Sequence, residues 1–485
     1  MKLNWEKNKW GVLILTAMSP FMATLDSNIV NVALPVMAQN LHVTSSMIAW
    51  VASAYLIALT ASILFFGRLG DLVGQTVVFQ YGMLGFTVGS LLCSLSPSFQ
   101  FLIAARVIQA LGASAFMATS QGIISMTFPK NELGRALGIN AVFVALGVLA
   151  GPALGGLIIS AASWQYLFWI NIPIGIAVFI GGFFLYPKAV KKEGKLDLPG
   201  TFLFAVTMVT LFIGIEEGPT LGLENPLILA CIGAAAISFF FFIRLQRRVE
   251  QPLIQLGIFR NKWFSISIFC SFCSFTAISC YSIVMPFYLQ DVRHMTPEQA
   301  GLTMTVYPIL LSLTAPLSGA LSDRIGSEGL TLAGLVLTSS GLYLMSTLAR
   351  GTPFLLMAFY IVLMASGNGL FQSPNNALVM STLPPERLGV GGSLNALVRT
   401  VGQTFGIAAS TALLYVGMSQ VLGRRVTDYI PGQETAFLYG MHTAYLASGS
   451  ICLLGVCVTA FRLHGRRRAK QVTPAVESQS DSMEE

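Results

Sequence analysis

The sequence predicts an all-α polytopic membrane protein of fourteen spans, arranged as two six-helix bundles with two helices inserted between them. Three observations predict it: an apolar composition, apolar runs of membrane-spanning length, and an internal repeat. Of the 485 residues, 54% are hydrophobic and 10% charged, whereas soluble globular proteins carry roughly 25% charged residues. Apolar runs recur from Trp10 to Phe461 and leave no stretch for a water-soluble core.

A membrane-spanning helix needs about 20 mostly apolar residues. Such segments lie near 10–34, 45–66, 76–95, 99–123, 137–160 and 164–186, forming a first bundle within residues 1–198. The run that begins at Trp10 is too long for the apolar core of a signal peptide and has no small-residue cleavage site, so it is a span. Two further segments, near 199–217 and 225–243, form an insert that ends in a basic loop at residue 261. The second bundle, 262–461, holds segments near 262–289, 300–321, 329–349, 353–380, 391–417 and 437–461, and a polar tail at 462–485 is expected to be disordered.

Charge placement orients the chain. If the N-terminus is cytoplasmic, 22 of the 28 Lys and Arg fall on the cytoplasmic side, as the bias of basic residues toward cytoplasmic loops requires. The exceptions are Arg293, Arg350, Arg424 and Arg425 outside, and Arg106 and Arg399 within spans. The expectation is a multi-pass protein of a cell (inner) membrane with both termini in the cytoplasm, acting as a monomer in the lipid bilayer. The net charge of +7 is spread over loops without a basic stripe interleaved with aromatics, which excludes a nucleic-acid partner.

The repeat links the halves. Gly67-Arg-Leu69-Gly-Asp71-Leu-Val-Gly74 recurs as Gly319-Ala-Leu321-Ser-Asp323-Arg324-Ile-Gly326. A shift of 255 pairs Pro129, Asn140, Gly147 and Gly151 with Pro384, Asn395, Gly402 and Gly406. Two parallel six-helix halves, with a substrate site between them, are a transporter architecture. In the repeated loop the glycines permit a tight turn and the aspartate can cap a helix or hold a basic residue, which makes it a candidate conformational latch.

The loop, its place and its duplication resemble the major facilitator superfamily. Further motifs resemble that family's fourteen-helix drug:proton antiporter branch: Leu25-Asp26-Ser-Asn-Ile-Val-Asn31-Val-Ala-Leu-Pro35, Arg106-Val-Ile-Gln109-Ala-Leu-Gly112, Gly147-x3-Gly151-Pro152-x2-Gly155-Gly156 and Trp164-x4-Phe168-x2-Asn171-x-Pro173-x-Gly175. The resemblance implies an efflux antiporter that exports amphiphilic drugs or toxic compounds by alternating access. It needs a small amphiphilic substrate and protons, and no cofactor beyond the proton gradient. The alternative within the same fold is an exporter of one endogenous metabolite, peptide or lipid. The first loop departs from the family pattern at Leu72 and Gln75, where basic residues are usual, while Arg324 carries such a charge in the second copy. The latch residues are Gly67, Asp71, Gly74, Asp323 and Arg324.

Asp26 is the acid that the hydropathy pattern places well inside a span. A charged aspartate at mid-helix costs about 2.5–3.5 kcal/mol even on the lenient insertion scale. It either couples transport to proton uptake or hydrogen-bonds neighbours such as Asn31. Arg106 cannot release a proton, but its guanidinium can set the field at a carboxylate or bind carbonyls. Gln109 shares its helix face. Asn31, Gln109 and Arg399 are read as supports of a substrate cavity or of coupling, although Arg399 is long enough to snorkel toward the membrane surface. With Asp26 alone counted, one proton per cycle is expected.

Gly147, Gly151 and Gly155 repeat every four residues beside Pro152 and Gly156, a stripe that lets two helix backbones approach closely. The resemblance associates this stripe with export. Glu216 and Glu217 close the seventh segment toward the outside, where adjacent acids are usually solvated; the alternative is a second proton site. An enzyme is not expected, because the four histidines His42, His294, His442 and His464 lie in or near loops and tail rather than in one constellation. No metal site is expected either: Cys270 and Cys273 have the spacing of half a zinc site but lie in an apolar run without a second ligand pair.

Overall fold

A computed structural model describes residues 8–186, 194–222, 224–383, 388–426 and 428–481. Fourteen of its helices are long and apolar enough to cross a membrane. They are α1 Lys9–Leu41, α2 Ser45–Val73, α3 Gln75–Ser94, α4 Phe99–Thr127, α5 Gly138–Ala161, α6 Tyr166–Leu185 and α7 Leu198–Gly218. The rest are α8 Pro226–Gln246, α9 Lys262–Val292, α10 Pro297–Ser322, α11 Ser327–Met345, α12 Phe354–Ser381, α13 Leu394–Leu422 and α14 Glu434–Leu463. No strand occurs among the described residues.

Local chemistry sets the helix ends. The Thr44 and Ser98 side chains accept the Met47 and Phe101 backbone amides at the starts of α2 and α4, filling donors that a helix cannot satisfy internally. Between α2 and α3 a single residue, Gly74, turns the chain with φ 115°. Gly326 does the same between α10, whose helical backbone runs on to Ile325, and α11 with φ 88°. Both values are in the region that glycine adopts without steric cost, so the repeated loop is a one-residue turn in each half.

The repeat is also a packing repeat. α1 packs on α5 and α9 on α13; α3 packs on α4 and α11 on α12; α2 packs on α4 and α10 on α12. The closest approaches correspond as well. A methyl at Gly112 of α4 would sit 2.6 Å from the Gly82 carbonyl of α3, and one at Gly367 of α12 would sit 2.7 Å from the Gly334 carbonyl of α11. Gly367 is the 255-residue counterpart of Gly112.

The inserted helices α7 and α8 pack on each other, and α7 also lies against α2 of the first half and α13 of the second. The last helix differs from the sequence expectation. Helical backbone continues to Asp481 through the region read as a disordered tail, because Arg, Ala, Lys and Gln extend the final turn of α14 at little cost. Arg462, placed in that tail by charge pattern, is buried and donates to Ser267 Oγ at 2.9 Å and Thr331 Oγ1 at 3.1 Å. Residues 187–193 of the basic loop after α6 lie outside the described residues.

Fourteen crossings put both ends of the chain at one face, and the halves touch mainly at the opposite face. There, Asn31 Nδ2 of α1 donates to Ser282 Oγ of α9 at 2.6 Å, and Gln290 Nε2 of α9 donates to the Val32 carbonyl at 2.9 Å. Asp428 Oδ1, in the connection after α13, accepts the Ser45 amide and hydroxyl at 2.9 and 2.7 Å. Toward the termini, Gln121 of α4 and Asn376 of α12 are exposed. On that side a methyl at Gly392 would still lie 3.6 Å from Gln121 Oε1.

Candidate functional site

The central feature of the first half is a buried ion pair. Asp26 and Arg106, 0% and 1% exposed, meet through Arg106 Nη1 and Asp26 Oδ2 at 2.5 Å. Four helices supply the rest. Gln109, one turn after Arg106 on α4, donates from Nε2 to Asp26 Oδ1 at 2.9 Å and to Ser90 Oγ of α3 at 2.9 Å. Its Oε1 accepts from Arg106 Nη1 at 2.6 Å. Asn171, on α6, donates to Asp26 Oδ1 at 2.8 Å. From α2, the Val51 carbonyl accepts Arg106 Nε at 3.0 Å, and the Tyr55 ring lies 4.2 Å from the guanidinium carbon.

This arrangement answers the cost of burying two charges. A buried pair is tolerated when the geometry is good and the remaining donors and lone pairs are filled, and here the aspartate accepts three hydrogen bonds. An uncharged Asp26 would leave Arg106 without its anion. The two charges therefore depend on each other, and the contact between α1 and α4 depends on both.

The other sequence-derived residues are distributed as follows. Gln109 joins the pair, but Asn31 does not: it lies five residues along α1, on another side of the helix, and bonds Ser282 of the second half. Arg399 lies in α13 with its guanidinium 5.7 Å from the Phe275 ring and its Nε without a hydrogen-bond partner. Cys270 and Cys273 are buried free thiols, and no cluster of potential metal ligands occurs among the described residues.

At the repeated turn, Gly67 faces Ala118 of α4, and Asp71 Oδ1 lies 3.4 Å from Gln75 Nε2. Gln75, at the position where the pattern lacks its usual base, packs its amide onto Gly122 of α4. Arg324 is exposed in the last turn before Gly326, where a cation favours the helix end. The side chain of Asp323 lies outside the described residues.

The glycine stripe connects the ion pair to the boundary between halves. A methyl at Gly147 would lie 2.5 Å from the Phe21 carbonyl, at Gly151 2.6 Å from Asn28 Cβ and at Gly155 2.9 Å from the Ile29 carbonyl. α5 is thus pressed onto the stretch of α1 that carries Asp26. Gly156 faces away, toward the start of α10, where a methyl would lie 2.5 Å from the Pro297 carbonyl. The Pro152 carbonyl lies against Gly301 of the same helix. In the second half Gly402 and Gly406 press α13 onto Phe272 and Thr276 of α9 in the same manner.

Two corrections and three additions follow for the acids and their neighbours. Glu216 is not a solvated helix end: it is 4% exposed and its Oε2 accepts from Ser53 Oγ of α2 at 3.2 Å. Glu217 Oε1 accepts from Trp50 Nε1 at 2.8 Å. The cause is tertiary, because α7 docks on α2 and brings the acids beneath its side chains. The additions are Asn171, Ser90 and Tyr55. Asn171 stands in a quoted motif, so its position was visible but its target was not; Ser90 and Tyr55 carried no signal.

A sequence model of the Major Facilitator Superfamily matches residues 16–259 and 267–483. The chain is 34% identical over 464 residues to Riboflavin transporter RibZ of Clostridioides difficile (strain 630), covering 94% of this chain and 98% of that protein. It is 31% identical over 421 residues to Multidrug resistance protein Stp of Mycobacterium tuberculosis (strain CDC 1551 / Oshkosh), covering 86% and 78%. It is 31% identical over 425 residues to the Tetracenomycin C resistance and export protein of Streptomyces glaucescens, covering 87% and 77%.

Proposed function

The chain belongs to the major facilitator superfamily, and from that premise we propose that it is a proton-coupled antiporter exporting amphiphilic drugs or toxic compounds by alternating access. The observation that carries the reading is the Asp26–Arg106 pair, buried at mid-bundle and held by residues of five helices. In the cycle, the halves open at the face opposite the termini, Asp26 takes a proton there, and opening at the terminal face releases it. Cargo leaves in the opposite direction. The proton gradient is the energy source, and no cofactor enters.

The export direction is supported by the names of two relatives, a multidrug resistance protein and a resistance and export protein. The glycine stripe adds a mechanical link, since α5 touches both the Asp26 segment of α1 and α10 of the other half. A second reading, a carrier of one metabolite, is favoured by the likeness to a riboflavin transporter over 94% of this chain.

The test is transport by the purified protein in liposomes with an imposed pH gradient. Ethidium and riboflavin, offered separately, should show gradient-driven movement of ethidium against its concentration. Movement of riboflavin alone would replace the drug reading with the single-metabolite one. Failure of both to respond to pH would remove proton coupling.

Sidedness is part of the proposal, with both termini cytoplasmic in a cell membrane. Reporters fused after Lys195 and after Arg248 should read cytoplasmic, and those near Arg293 and Arg424 external. A cytoplasmic signal at Arg424 would invert or break this topology.

A further inference from the structure

A second carboxyl group lies behind the ion pair, in a place that neither hydropathy nor charge counting predicts. Glu216 is 4% exposed, its Oε2 accepts from Ser53, and its Oε1 is buried without a hydrogen-bond partner. Among the described residues no Lys, Arg or His forms an ion pair with it. A carboxylate buried without a cation is costly and a carboxylic acid is not, so the site as folded suits the protonated form.

The depth is that of the ion pair. Arg106 is bonded to the Val51 carbonyl and Glu216 to the Ser53 hydroxyl on the same helix, two residues and about 3 Å apart along its axis. Ser53 lies eight residues into α2 from the face opposite the termini, roughly 12 Å along the helix. The two contact points on α2 are therefore less than one turn apart, with Val51 and Tyr55 toward Arg106 and Trp50 and Ser53 toward α7.

The neighbours are few. α7 itself supplies Glu217, engaged by Trp50. α2 offers no ionisable group closer than Tyr55, whose ring is stacked on Arg106. α8 places Cys231 beside Gly214, and the connection after α13 places Arg425 on the Leu221 carbonyl, beyond the acid on α7. Both α2 and α13 pack on α7, and these two helices meet directly, with Thr60 and Thr404 hydroxyls 3.3 Å apart. They belong to different halves, so any rocking of the halves changes the surroundings of Glu216.

We propose that Glu216 is a second proton-carrying carboxyl, loaded and emptied in the same cycle as Asp26, so that two protons move per cargo. The inference rests on the proton-coupled reading above and revises the expectation of one proton, which counts Asp26 alone. Loading forms one O–H bond on the Glu216 carboxylate with a proton from the face opposite the termini. Emptying breaks it and delivers the proton to the terminal side, with no redox step. The inserted helices then have a role: they carry the extra acid to the seam between the halves.

Two measurements on the full-length protein in liposomes test this. Infrared difference spectra between acid and alkaline pH, with no cargo present, should show the carbonyl stretch of a buried protonated carboxylic acid. Glu216→Gln should remove that band and Glu217→Gln should retain it; an identical spectrum for Glu216→Gln and wild type overturns the proposal. With ethidium as probe and the membrane potential clamped at zero, n coupled protons sustain a tenfold cargo ratio per pH unit to the power n. Wild type should approach about a hundredfold per pH unit and Glu216→Gln about tenfold, with Glu216→Asp restoring the steeper ratio. Equal ratios for wild type and Glu216→Gln overturn the two-proton cycle. If wild type shows no pH-driven ratio, the antiport reading itself fails, and the cargo-free spectra still decide whether Glu216 binds a proton.

Discussion

Asp26→Asn should sharply reduce pH-driven export while the protein still folds and reaches the membrane. The substitution preserves shape but removes the proton-binding oxygen and the negative charge. Its consequences follow from the donors around it. Arg106 Nη1 approaches one oxygen at 2.5 Å, while Gln109 Nε2 and Asn171 Nδ2 approach the other at 2.9 and 2.8 Å. An asparagine that keeps its oxygen toward Arg106 turns its own amide donors toward Gln109 and Asn171. Asn171 can flip, because its Oδ1 has no hydrogen-bond partner. Gln109 cannot flip freely, because its Oε1 accepts from Arg106. Arg106 keeps an oxygen acceptor but loses its counter-charge, so the cost approaches about 3–5 kcal/mol, the range for breaking a buried pair, without the void that a truncation would add. The cargo ratio sustained by a pH gradient should then fall to no more than about tenfold per pH unit, which Glu216 alone could support, while exchange down a cargo gradient continues. A pH-driven ratio equal to that of wild type would reduce Asp26 to a structural residue.

Much of this architecture is legible in the chain because its causes are local or periodic. Span length and apolarity fix the helices, and glycine turns at Gly74 and Gly326 need no partner to be recognised. Asp26 and Arg106 stand out because a charge at mid-span is expensive wherever it points. Neutral polar residues give no such signal. Ser90, Tyr55 and Asn171 resemble the chain's other serines, tyrosines and asparagines until packing brings them to Gln109, Arg106 and Asp26. Asn31 illustrates the converse: its motif places it next to the acid in sequence, and the helix turns it toward Ser282 of the other half. Glu216 was misread as solvated because its burial depends on where an inserted helix docks, and sequence periodicity holds no information on docking between α7 and α2. The glycine stripe announces a close helix contact, yet only the fold shows that α5 meets the Asp26 segment on one side and α10 on the other.

Removing the other partner of the pair should be harsher on the fold. Arg106→Ala leaves Asp26 buried with two amide donors and no cation, a situation that typically costs about 3–5 kcal/mol when one member of a buried pair is deleted. The substitution also empties the space against the Tyr55 and Phe168 rings, which lie 4.2 and 5.7 Å from the guanidinium carbon, and frees the Val51 carbonyl that now accepts Arg106 Nε. Thermal unfolding in detergent should show a large downward shift. The double variant Asp26→Ala, Arg106→Ala separates charge from packing, because it removes the unpaired carboxylate while keeping the void. Recovery of most of the lost stability in the double variant identifies the stranded charge as the main cost; a double variant no more stable than Arg106→Ala assigns that cost to the lost stacking instead. Arg106→Lys should fall between wild type and Arg106→Ala in stability and still transport poorly. A lysine supplies the charge but cannot span Asp26, Gln109 and the Val51 carbonyl with the planar donors of a guanidinium. Transport by Arg106→Lys at the wild-type rate would show that the pair acts through charge alone, and that its contacts to Gln109 and Val51 serve only to hold the helices together.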